Sequence, residues 1–371
     1  MVDELAITLL PAKEGDCIHI AWGKAPDQKH MLIDAGRQWT WKHALKTYLQ
    51  EKGISELELL VVTHVDRDHI DGMLALVSDP DLELEVKDIW FNTWDHLLGE
   101  AAPSVEAEDD IEHFGAKMGE ELGPQILRNH WPWNRHFCGK AVELAAASSN
   151  NLVRLGDLTL TLLSPDRAKL EALKPVWEKE CKKAGMTPGS KVRDYVVEEE
   201  DDLEAFGAID IDTLAREAFQ EDGSEANGSS IAFVLEYGGL RLLLSGDAHA
   251  ELLANGLKSL GATPDKPLRL DAFKVPHHGS KYNLSRELLE LMDCRHYLIS
   301  TNGNYFKHPD EVAMARLIKY GTTDSVLGFN YKTVHNQIWN NPQWQRKYHY
   351  TTRYPVEGED GFLRLQFVVQ Q

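Results

Sequence analysis

The feature that most constrains this sequence is an apolar segment that leads directly into potential metal ligands. Residues 57–63 read LELLVVT, which is apolar, β-branched and too short for a buried helix, so they predict a buried strand, and a helix is predicted over residues 70–78. Four side chains that can bind a metal lie between them: His64, Asp66, Asp68 and His69. Imidazole together with carboxylate suits Zn²⁺, Mn²⁺ or Fe²⁺ better than a thiolate site would. The alternative is a polar cap, in which Asp68 caps the helix at Ile70.

Short strands alternate with helices along the chain, which predicts an α/β (α+β) fold in a single domain, residues 1–371. Strands are predicted at residues 5–10, 17–22, 30–34, 57–63, 86–92, 151–155, 158–163, 230–237, 240–245, 270–275 and 296–300. Helices are predicted at residues 41–53, 70–78, 248–260, 284–293 and 310–319, and residues 97–150 are predicted to be mostly helical. Strands near both ends with helices between them predict two sheets covered by helices, a four-layer αββα sandwich.

Composition and charge limit the class of protein. The 371 residues carry 39 Lys and Arg against 59 Asp and Glu, a net charge of −20. Such a chain does not coat duplex DNA or an anionic membrane by bulk charge, although a local nucleic-acid site is compatible with it. The four cysteines lie far apart, and no apolar run is long enough to span a membrane. With no signal peptide in the N-terminal residues, we expect a cytoplasmic protein with no membrane partner.

Two later loops carry further candidate metal ligands. Asp247 follows a predicted strand, where an aspartate either bridges two cations or is an ordinary turn residue. His277 and His278 follow another strand. We expect one of these histidines to bind metal and the other to position it or the substrate, and the alternative is a pair of surface histidines.

Two neighbouring segments are candidates for contact with a substrate. Ser280 and Lys281 follow a glycine, and their side chains can bind phosphate oxygens, unless the segment is a simple loop. His308 precedes the predicted helix at Asp310. It either protonates a leaving group or holds a phosphate, or it is a capping or packing histidine.

Taken in order, these motifs resemble the metallo-β-lactamase superfamily. The family signature H-x-H-x-D-H stands here as His64-x-Asp66-x-Asp68-His69, with Asp66 in place of the second histidine. This H-x-D-x-D-H form is similar to the metallo-β-lactamase domain of the competence DNA-uptake protein ComEC. Further matching elements are residues 32–36, 227–230, 243–247, 275–280 and 300–309. The resemblance spans about residues 5 to 320.

The resemblance implies a metal site and a set of ligands. One ion would be held by His64 and Asp66, and a second by Asp68, His69 and either His277 or His278. Asp247 would lie between them, and Asp34 would orient the ligands from behind. We expect one or two divalent transition-metal ions, Zn²⁺ or Mn²⁺, and the carboxylate at position 66 favours Mn²⁺.

The resemblance also implies a reaction. Water activated by the metal would attack the phosphorus of a phosphodiester in DNA or another nucleic acid. Asp68 and His308 are the candidate catalytic residues, and Ser280, Lys281 and Asn304 are the candidate substrate-binding residues. The alternatives are hydrolysis of a small phosphodiester, a lactone or a thioester, or a non-catalytic regulatory module on the same fold.

Two segments stand out by charge. An acidic insertion is predicted at about residues 166–228, and residues 198–225 hold twelve acidic residues against Arg216, a net charge of −11. It is either a solvated loop or an inhibitory segment on which a regulatory protein or a protease acts. A basic aromatic segment at about residues 329–371 carries no acidic residue between Phe329 and Tyr354. Its rings either close the core or stack nucleic-acid bases.

Overall fold

The computed structural model describes residues 2–101, 115–144, 151–186, 188 and 209–369. The strands in these ranges are β1 (Asp3–Leu9), β2 (Ile18–Lys24), β3 (Lys29–Ile33), β4 (Glu56–Leu57), β5 (Leu59–Val61), β6 (Glu85–Val86), β7 (Ile89–Trp90), β8 (Leu152–Leu155), β9 (Leu158–Ser164), β10 (Ala232–Tyr237), β11 (Leu240–Leu244), β12 (Leu268–Lys274), β13 (Met292–Ile299), β14 (Ser325–Phe329), β15 (Tyr350–Arg353) and β16 (Leu363–Val368).

The helices in the same ranges are α1 (Gln38–Thr40), α2 (Lys46–Lys52), α3 (Arg67–Val77), α4 (Trp94–Leu98), α5 (Gly115–Arg128), α6 (Arg167–Lys183), α7 (Ile211–Leu214), α8 (Glu225–Gly228), α9 (Ala250–Ser259), α10 (Arg286–Glu290), α11 (Glu311–Tyr320), α12 (Val334–Gln337) and α13 (Pro342–Tyr348). A π-helical turn, Trp41–Leu45, joins α1 to α2, and 3₁₀ turns lie at Arg135–Phe137 and Pro276–Gly279. None of the helices in the described ranges is long and apolar enough to span a bilayer.

The first sheet has the strand order β16-β1-β2-β3-β5-β7 within the described residues. The strands from β16 to β3 are antiparallel neighbours, whereas β3, β5 and β7 run parallel. Parallel strands end at the same edge of a sheet. The ends of β3 and β5 therefore bring Asp34 and His64 to one edge.

The second sheet has the order β15-β14-β13-β12-β11-β10-β9-β8 within the same ranges. Its strands from β8 to β11 are antiparallel, and those from β11 to β15 are parallel. The ends of β11, β12 and β13 lead into Asp247, the pair His277-His278 and Ser300. These residues therefore share an edge as well.

Three apolar clusters separate four layers. Side chains alternate along a strand, so in β3 Leu32 packs against the helices from α1 to α6 while Met31 and Ile33 face the second sheet. In β11, Leu244 faces the first sheet and Leu243 packs against α9, α10 and α11. The layer order is helix, sheet, sheet, helix, and the predicted αββα sandwich is confirmed.

Two glycines allow the chain to pack closely around the start of α3. A Cβ atom at Gly15 would lie 1.7 Å from the carbonyl oxygen of Asp68, and one at Gly72 would lie 1.9 Å from the carbonyl oxygen of Ala35. Any side chain at either position would displace backbone. These contacts hold the first turn of α3 against the loops that follow β1 and β3.

The structure differs from the sequence-based expectation in two places. Residues 129–144 were expected to be mostly helical but form a loop with the single 3₁₀ turn Arg135–Phe137, fixed by the side chains of Asp88 and Asn134. The basic aromatic segment contains β15 and β16, which no prediction assigned. β16 pairs with β1, although the two strands lie at opposite ends of the sequence. Tertiary folding, and no local sequence pattern, sets such a pairing.

The predicted acidic insertion is partly a packed helix. Leu170, Trp177 and Cys181 of α6 are buried in the first apolar cluster. Residues 187 and 189–208, which include the acidic run from Glu198 to Glu204, lie outside the described residues.

Candidate metal centre

Histidine and aspartate side chains meet where the C-terminal ends of the parallel strands face each other. Oδ2 of Asp247 lies 3.3 Å from Nε2 of His69, 3.4 Å from Nε2 of His278 and 4.0 Å from Nε2 of His64. Oδ2 of Asp68 lies 3.4 Å from Nε2 of His278. All five residues are buried. Asp247 therefore lies at the centre of a cluster of nitrogen and oxygen atoms that can bind metal.

The start of α3 places two of these groups. The helix begins at Arg67, so Asp68 and His69 lie in its first turn, and the N-cap residue is Asp66, whose side chain makes no capping hydrogen bond. The interpretation of Asp68 as the cap of a helix that begins at Ile70 is therefore wrong. Its carboxylate faces the imidazoles of the cluster instead.

Hydrogen bonds at the far ring nitrogen fix the tautomers of two histidines. Nδ1 of His278 donates to the carbonyl oxygen of Ser300 at 2.8 Å. Nδ1 of His69 donates to Oδ2 of Asp34, also at 2.8 Å. A carbonyl oxygen can only accept, and an ionised carboxylate likewise only accepts. Each neutral ring therefore carries its proton on Nδ1 and presents the lone pair of Nε2 to the cluster.

The third histidine is oriented in the same way. Oγ1 of Thr63 donates to Oδ2 of Asp34 at 2.7 Å, and it lies 2.9 Å from Nδ1 of His64. Because the hydroxyl proton goes to Asp34, Oγ1 of Thr63 accepts from Nδ1 of the ring, and Oγ of Ser230 is a second neighbour of the same atom at 3.1 Å. Nε2 of His64 then carries a lone pair, and this buried atom has no hydrogen-bond partner among the residues that the structure describes.

The cluster fits a divalent cation. Nε2 of His69 and Nε2 of His278 lie 3.3 Å apart, and carboxylate oxygens of Asp68 and Asp247 approach the same two atoms. Acceptors that converge with no donor between them repel one another unless a positive charge lies among them. Imidazole nitrogens with carboxylate oxygens are the donors that Zn²⁺ and Mn²⁺ take in proteins.

The electrostatics of the cluster favour positive charge. Burial alone would lower the pKa of His278, but the carboxylate of Asp247 outweighs it and raises the pKa to about 9. Burial would raise the pKa of Asp68, yet His69 and His278 hold it well below its usual range. The site thus stabilises a cation on the imidazoles, whether that cation is a proton or a metal ion.

Asp34 holds both halves of the cluster. Its Oδ1 accepts from the backbone N–H of Thr63 at 2.8 Å, and its Oδ2 accepts from Thr63 Oγ1 and from His69. The residue is fully buried and has a φ of +53°, which an aspartate seldom adopts. A strained carboxylate bonded in this way can orient ligands from behind, which is the role that the resemblance implies for Asp34.

Asp16 and Lys274 also belong to the site, and sequence reasoning missed both. The two side chains form an ion pair in the interior. Nζ of Lys274 also donates to the carbonyl oxygen of Gly246 at 3.1 Å and lies 3.5 Å from Oδ1 of Asp247. The lysine therefore holds one oxygen of Asp247 and leaves the other for the histidines. The sequence signal that could have identified Lys274 is a lysine within the otherwise apolar stretch 272–275.

His277 and His278 face different surroundings. Both have left-handed backbones, with φ of +46° and +54°, and their ring planes are 77° apart. Nδ1 of His277 lies 2.9 Å from Oδ1 of Asn283 and 3.4 Å from Oδ2 of Asp222. His277 belongs to none of the groups of potential metal ligands found among the described residues. Burial would lower the pKa of His277, but Asp222 raises it. The structure thus brings His278, rather than His277, into the cluster.

Asp66 and His308 border the cluster on different sides. The side chain of Asp66 is 39% exposed, and its Oδ2 lies 3.6 Å from Nε2 of His64. The ring of His308 lies 5.4 Å from the ring of His277, and its Nδ1 is 3.3 Å from Oδ1 of Asp310. Burial lowers the pKa of His308, although Asp310 acts in the opposite direction.

The three candidate substrate-binding residues differ in exposure. Ser280 is buried, and its Oγ accepts from the backbone N–H of Tyr282 at 3.3 Å, so the hydroxyl shapes its own loop. Lys281 is half-buried, with Nζ 5.2 Å from the centre of the Tyr282 ring. Asn304 is exposed on the loop that precedes His308.

The described parts of the acidic insertion and the basic aromatic segment lie outside the cluster of metal-binding side chains. Asp222 accepts from Nδ2 of Asn227 at 2.7 Å and from Nδ2 of Asn283 at 3.0 Å. Asp212 is held by Lys319, Lys347 and the hydroxyl of Tyr348. The rings of Phe329, Trp339 and Tyr350 are buried in the second sheet's helix-facing cluster. A protein or protease that acts on the acidic segment remains a prediction.

Comparison with known proteins gave matches among solved structures only, since no protein-family model and no curated protein matched the sequence. A candidate metal-dependent hydrolase from Parabacteroides distasonis is 11% identical, with 95% of this chain and 93% of that chain covered and a TM-score of 0.38. The metallo-β-lactamase-fold protein YhfI from Bacillus subtilis is 9% identical, with 98% and 100% covered and a TM-score of 0.41. A diphosphatase of the PhnP family is 10% identical, with 98% of each chain covered and a TM-score of 0.37. These likenesses concern the fold, and the narrower resemblance to the ComEC branch stays a prediction.

Proposed function

We propose that this chain is a metal-dependent hydrolase that cleaves phosphodiester bonds in DNA or another nucleic acid. The observation that carries the proposal is the convergence of three Nε2 lone pairs on one oxygen of Asp247. The residues that would hold one or two Zn²⁺ or Mn²⁺ ions are His64, Asp66, Asp68, His69, Asp247 and His278. When bound, such ions lower the pKa of water and polarise a phosphoryl oxygen.

The protein's own groups hold the ligands rigidly in place. Asp34 fixes His69 directly and His64 through Thr63, and Lys274 fixes Asp247. Ligands fixed in this way need no rearrangement when charge develops in the reaction. A fully formed donor set of this kind also argues against a purely regulatory module.

His308 is the proposed proton donor to the leaving group. Nδ1 of His308 faces Oδ1 of Asp310 at 3.3 Å, which leaves Nε2 of the ring for the substrate. Burial lowers the pKa of this ring, so near neutral pH it is mostly unprotonated, and a proton that it takes up is readily given up to a leaving group. The Lys281 ammonium and the Asn304 amide are the proposed partners of the phosphate oxygens, and both groups suit a phosphodiester better than an uncharged lactone.

Hydrolysis of bis-p-nitrophenyl phosphate tests the proposal. The protein is stripped with EDTA, reloaded with Mn²⁺ or Zn²⁺, and assayed, with the bound metal measured by elemental analysis. We expect activity to vanish on stripping and to return together with stoichiometric metal. Cleavage of single-stranded and plasmid DNA is assayed next. Loading with metal but cleavage of only a thioester or lactone would overturn the phosphodiester assignment, and an absence of bound metal would overturn the site.

A further inference from the structure

Exposed aromatic side chains are concentrated beside the metal centre. Among the described residues, five Phe, Tyr or Trp side chains are exposed, and four of them border the centre, three on loops and one, Trp39, on the short helix α1. We call these four the aromatic rim: Trp39, Tyr282, Tyr305 and Phe306, which are 38–46% exposed. The fifth, Phe219, packs against the guanidinium of Arg316. Trp39 stacks 5.0 Å from the ring of His43, and the rings of Tyr305 and Phe306 meet edge to face at 4.5 Å, so these rings are partly covered by neighbouring rings and partly in solvent.

Short contacts connect the rim to the cluster on one side. The backbone of Gly15 packs on the backbone of Asp68. Two residues earlier, the carbonyl oxygen of Lys13 accepts from the N–H of Asn302 at 2.8 Å, and Nζ of Lys13 lies 4.7 Å from the centre of the Trp39 ring. The loop that carries Tyr305 and Phe306 is thus joined to the loop that covers α3.

A second set of contacts connects the rim on the other side. The Phe306 ring stacks 5.9 Å from the ring of His308, and that ring lies 5.4 Å from the ring of His277. The backbone N–H of Asp310 donates to the carbonyl oxygen of Gly279, directly before the segment that carries Tyr282. Tyr282, Tyr305 and Phe306 therefore lie on the loops that follow β12 and β13, and Trp39 is linked to the second of these loops through Lys13.

Each part of the rim carries a lysine. Lys13 lies over Trp39, Lys281 lies near Tyr282, and Lys307 follows Phe306 and bonds the carbonyl oxygen of Asn304 at 3.1 Å. Within the part of the chain that the structure describes, none of these three ammonium groups forms an ion pair. In a chain of net charge −20, these three lysines supply positive charge beside the carboxylates of the centre, where phosphate groups can bind.

We propose that the aromatic rim and its three lysines bind single-stranded nucleic acid, with unpaired bases stacked on the rings and phosphates on the ammonium groups. This deepens the proposed function and rests on it, because a strand held on the rim presents one phosphodiester to the metal centre. Aromatic rings interleaved with cations are how proteins hold single strands without reading their sequence. Bases inside a duplex are already stacked on each other and offer no free face to these rings.

Binding of a fluorescent single-stranded oligothymidine, followed by anisotropy in EDTA so that nothing is cleaved, tests this proposal. Trp39→Ala and Phe306→Ala are each expected to weaken binding about 5–100-fold, the range for loss of one stacking ring. Lys13→Gln and Lys307→Gln should each lower the slope of log affinity against log salt by about 0.7. A duplex of the same length should bind more weakly than the single strand.

Leu260→Ala is the matched control, because Leu260 is an apolar side chain as exposed as Trp39 but lies at the far end of α9. Normal single-strand affinity in both aromatic variants would overturn the proposal, as would tighter binding of the duplex. Failure of the unmodified protein to bind the oligonucleotide, with bis-p-nitrophenyl phosphate still hydrolysed, would overturn the rim alone and point to a peptide ligand. Single-strand binding that depends on the rim, in a protein that hydrolyses no phosphodiester, would support the rim and overturn the proposed function.

Discussion

The two halves of the metal centre are supported differently. The half formed by Asp68, His69 and His278 is buried, and both of its rings are fixed through Nδ1. In the other half His64 is buried, but the side chain of Asp66 beside it is 39% exposed and makes no capping hydrogen bond to α3. The half formed by Asp68, His69 and His278 is therefore a preformed ion site. The other half is open, on the side where water and substrate can enter.

The largest effect is expected from Asp68→Ala. The buried half loses a carboxylate that faces two imidazoles, so we expect stoichiometric metal and measurable hydrolysis both to be lost while circular dichroism shows an intact fold. Asp81→Ala, at an exposed position, is the control. Full metal content and activity in Asp68→Ala would remove the buried half from the mechanism.

Lys274→Met should act on stability as well as on the site. It leaves Asp16 buried without its partner, and removal of one member of a buried ion pair costs about 3–5 kcal/mol. Urea denaturation measures the change in the free energy of unfolding, with the exposed Lys266→Met as control. A loss no larger than that of the control would mean that the pair does not support the centre.

Asp34→Asn tests the group that joins the two halves. The amide keeps the shape but loses the charge that accepts from His69 and Thr63. Changes of this kind behind metal ligands reduce metal affinity or activity roughly 10–100-fold. Calorimetric titration of the stripped protein with Zn²⁺ or Mn²⁺ measures the affinity, and an unchanged value would show that the ligands orient themselves without Asp34.

Asp66→Ala should affect the open half only. The more tightly held ion belongs to the buried half, so we expect the affinity for that ion to fall by less than about tenfold. This loss is smaller than the range for residues that orient metal ligands. The same titration measures it, with Asp68→Ala as the contrasting variant. An equal loss in the two variants would show that the halves do not differ.

The smallest effect is expected from charge reversal at Arg346 and Lys347. Arg346 lines an open groove of about 700 Å³ with Arg295 and His349, at the end of the second sheet where β13, β14 and β15 begin. The metal centre lies at the other end, and Lys347 is already paired with Asp212. We expect the salt slope of oligonucleotide binding to change by no more than about one. A larger change would mean that the strand runs from the centre to this groove.

The fold and most of the centre could be predicted because their signals are local. The run LELLVVT followed by His64, Asp66, Asp68 and His69 fixes a buried strand, a tight loop and a helix start within a few residues. The strands that lead to Asp247 and His278 carry equally local patterns. Alternation and apolar runs therefore sufficed for the αββα layers.

Only the tertiary structure decided which groups meet. The choice between His277 and His278 depends on two successive left-handed residues that turn the rings apart, and no sequence pattern states that turn. Asp16 and Lys274 pair across 258 positions, and β16 reaches β1 from the far end of the chain. The sequence determined the elements and the ligand types, because these follow from neighbouring residues. The pairing of distant strand ends determined the site, because it depends on how the two sheets pack.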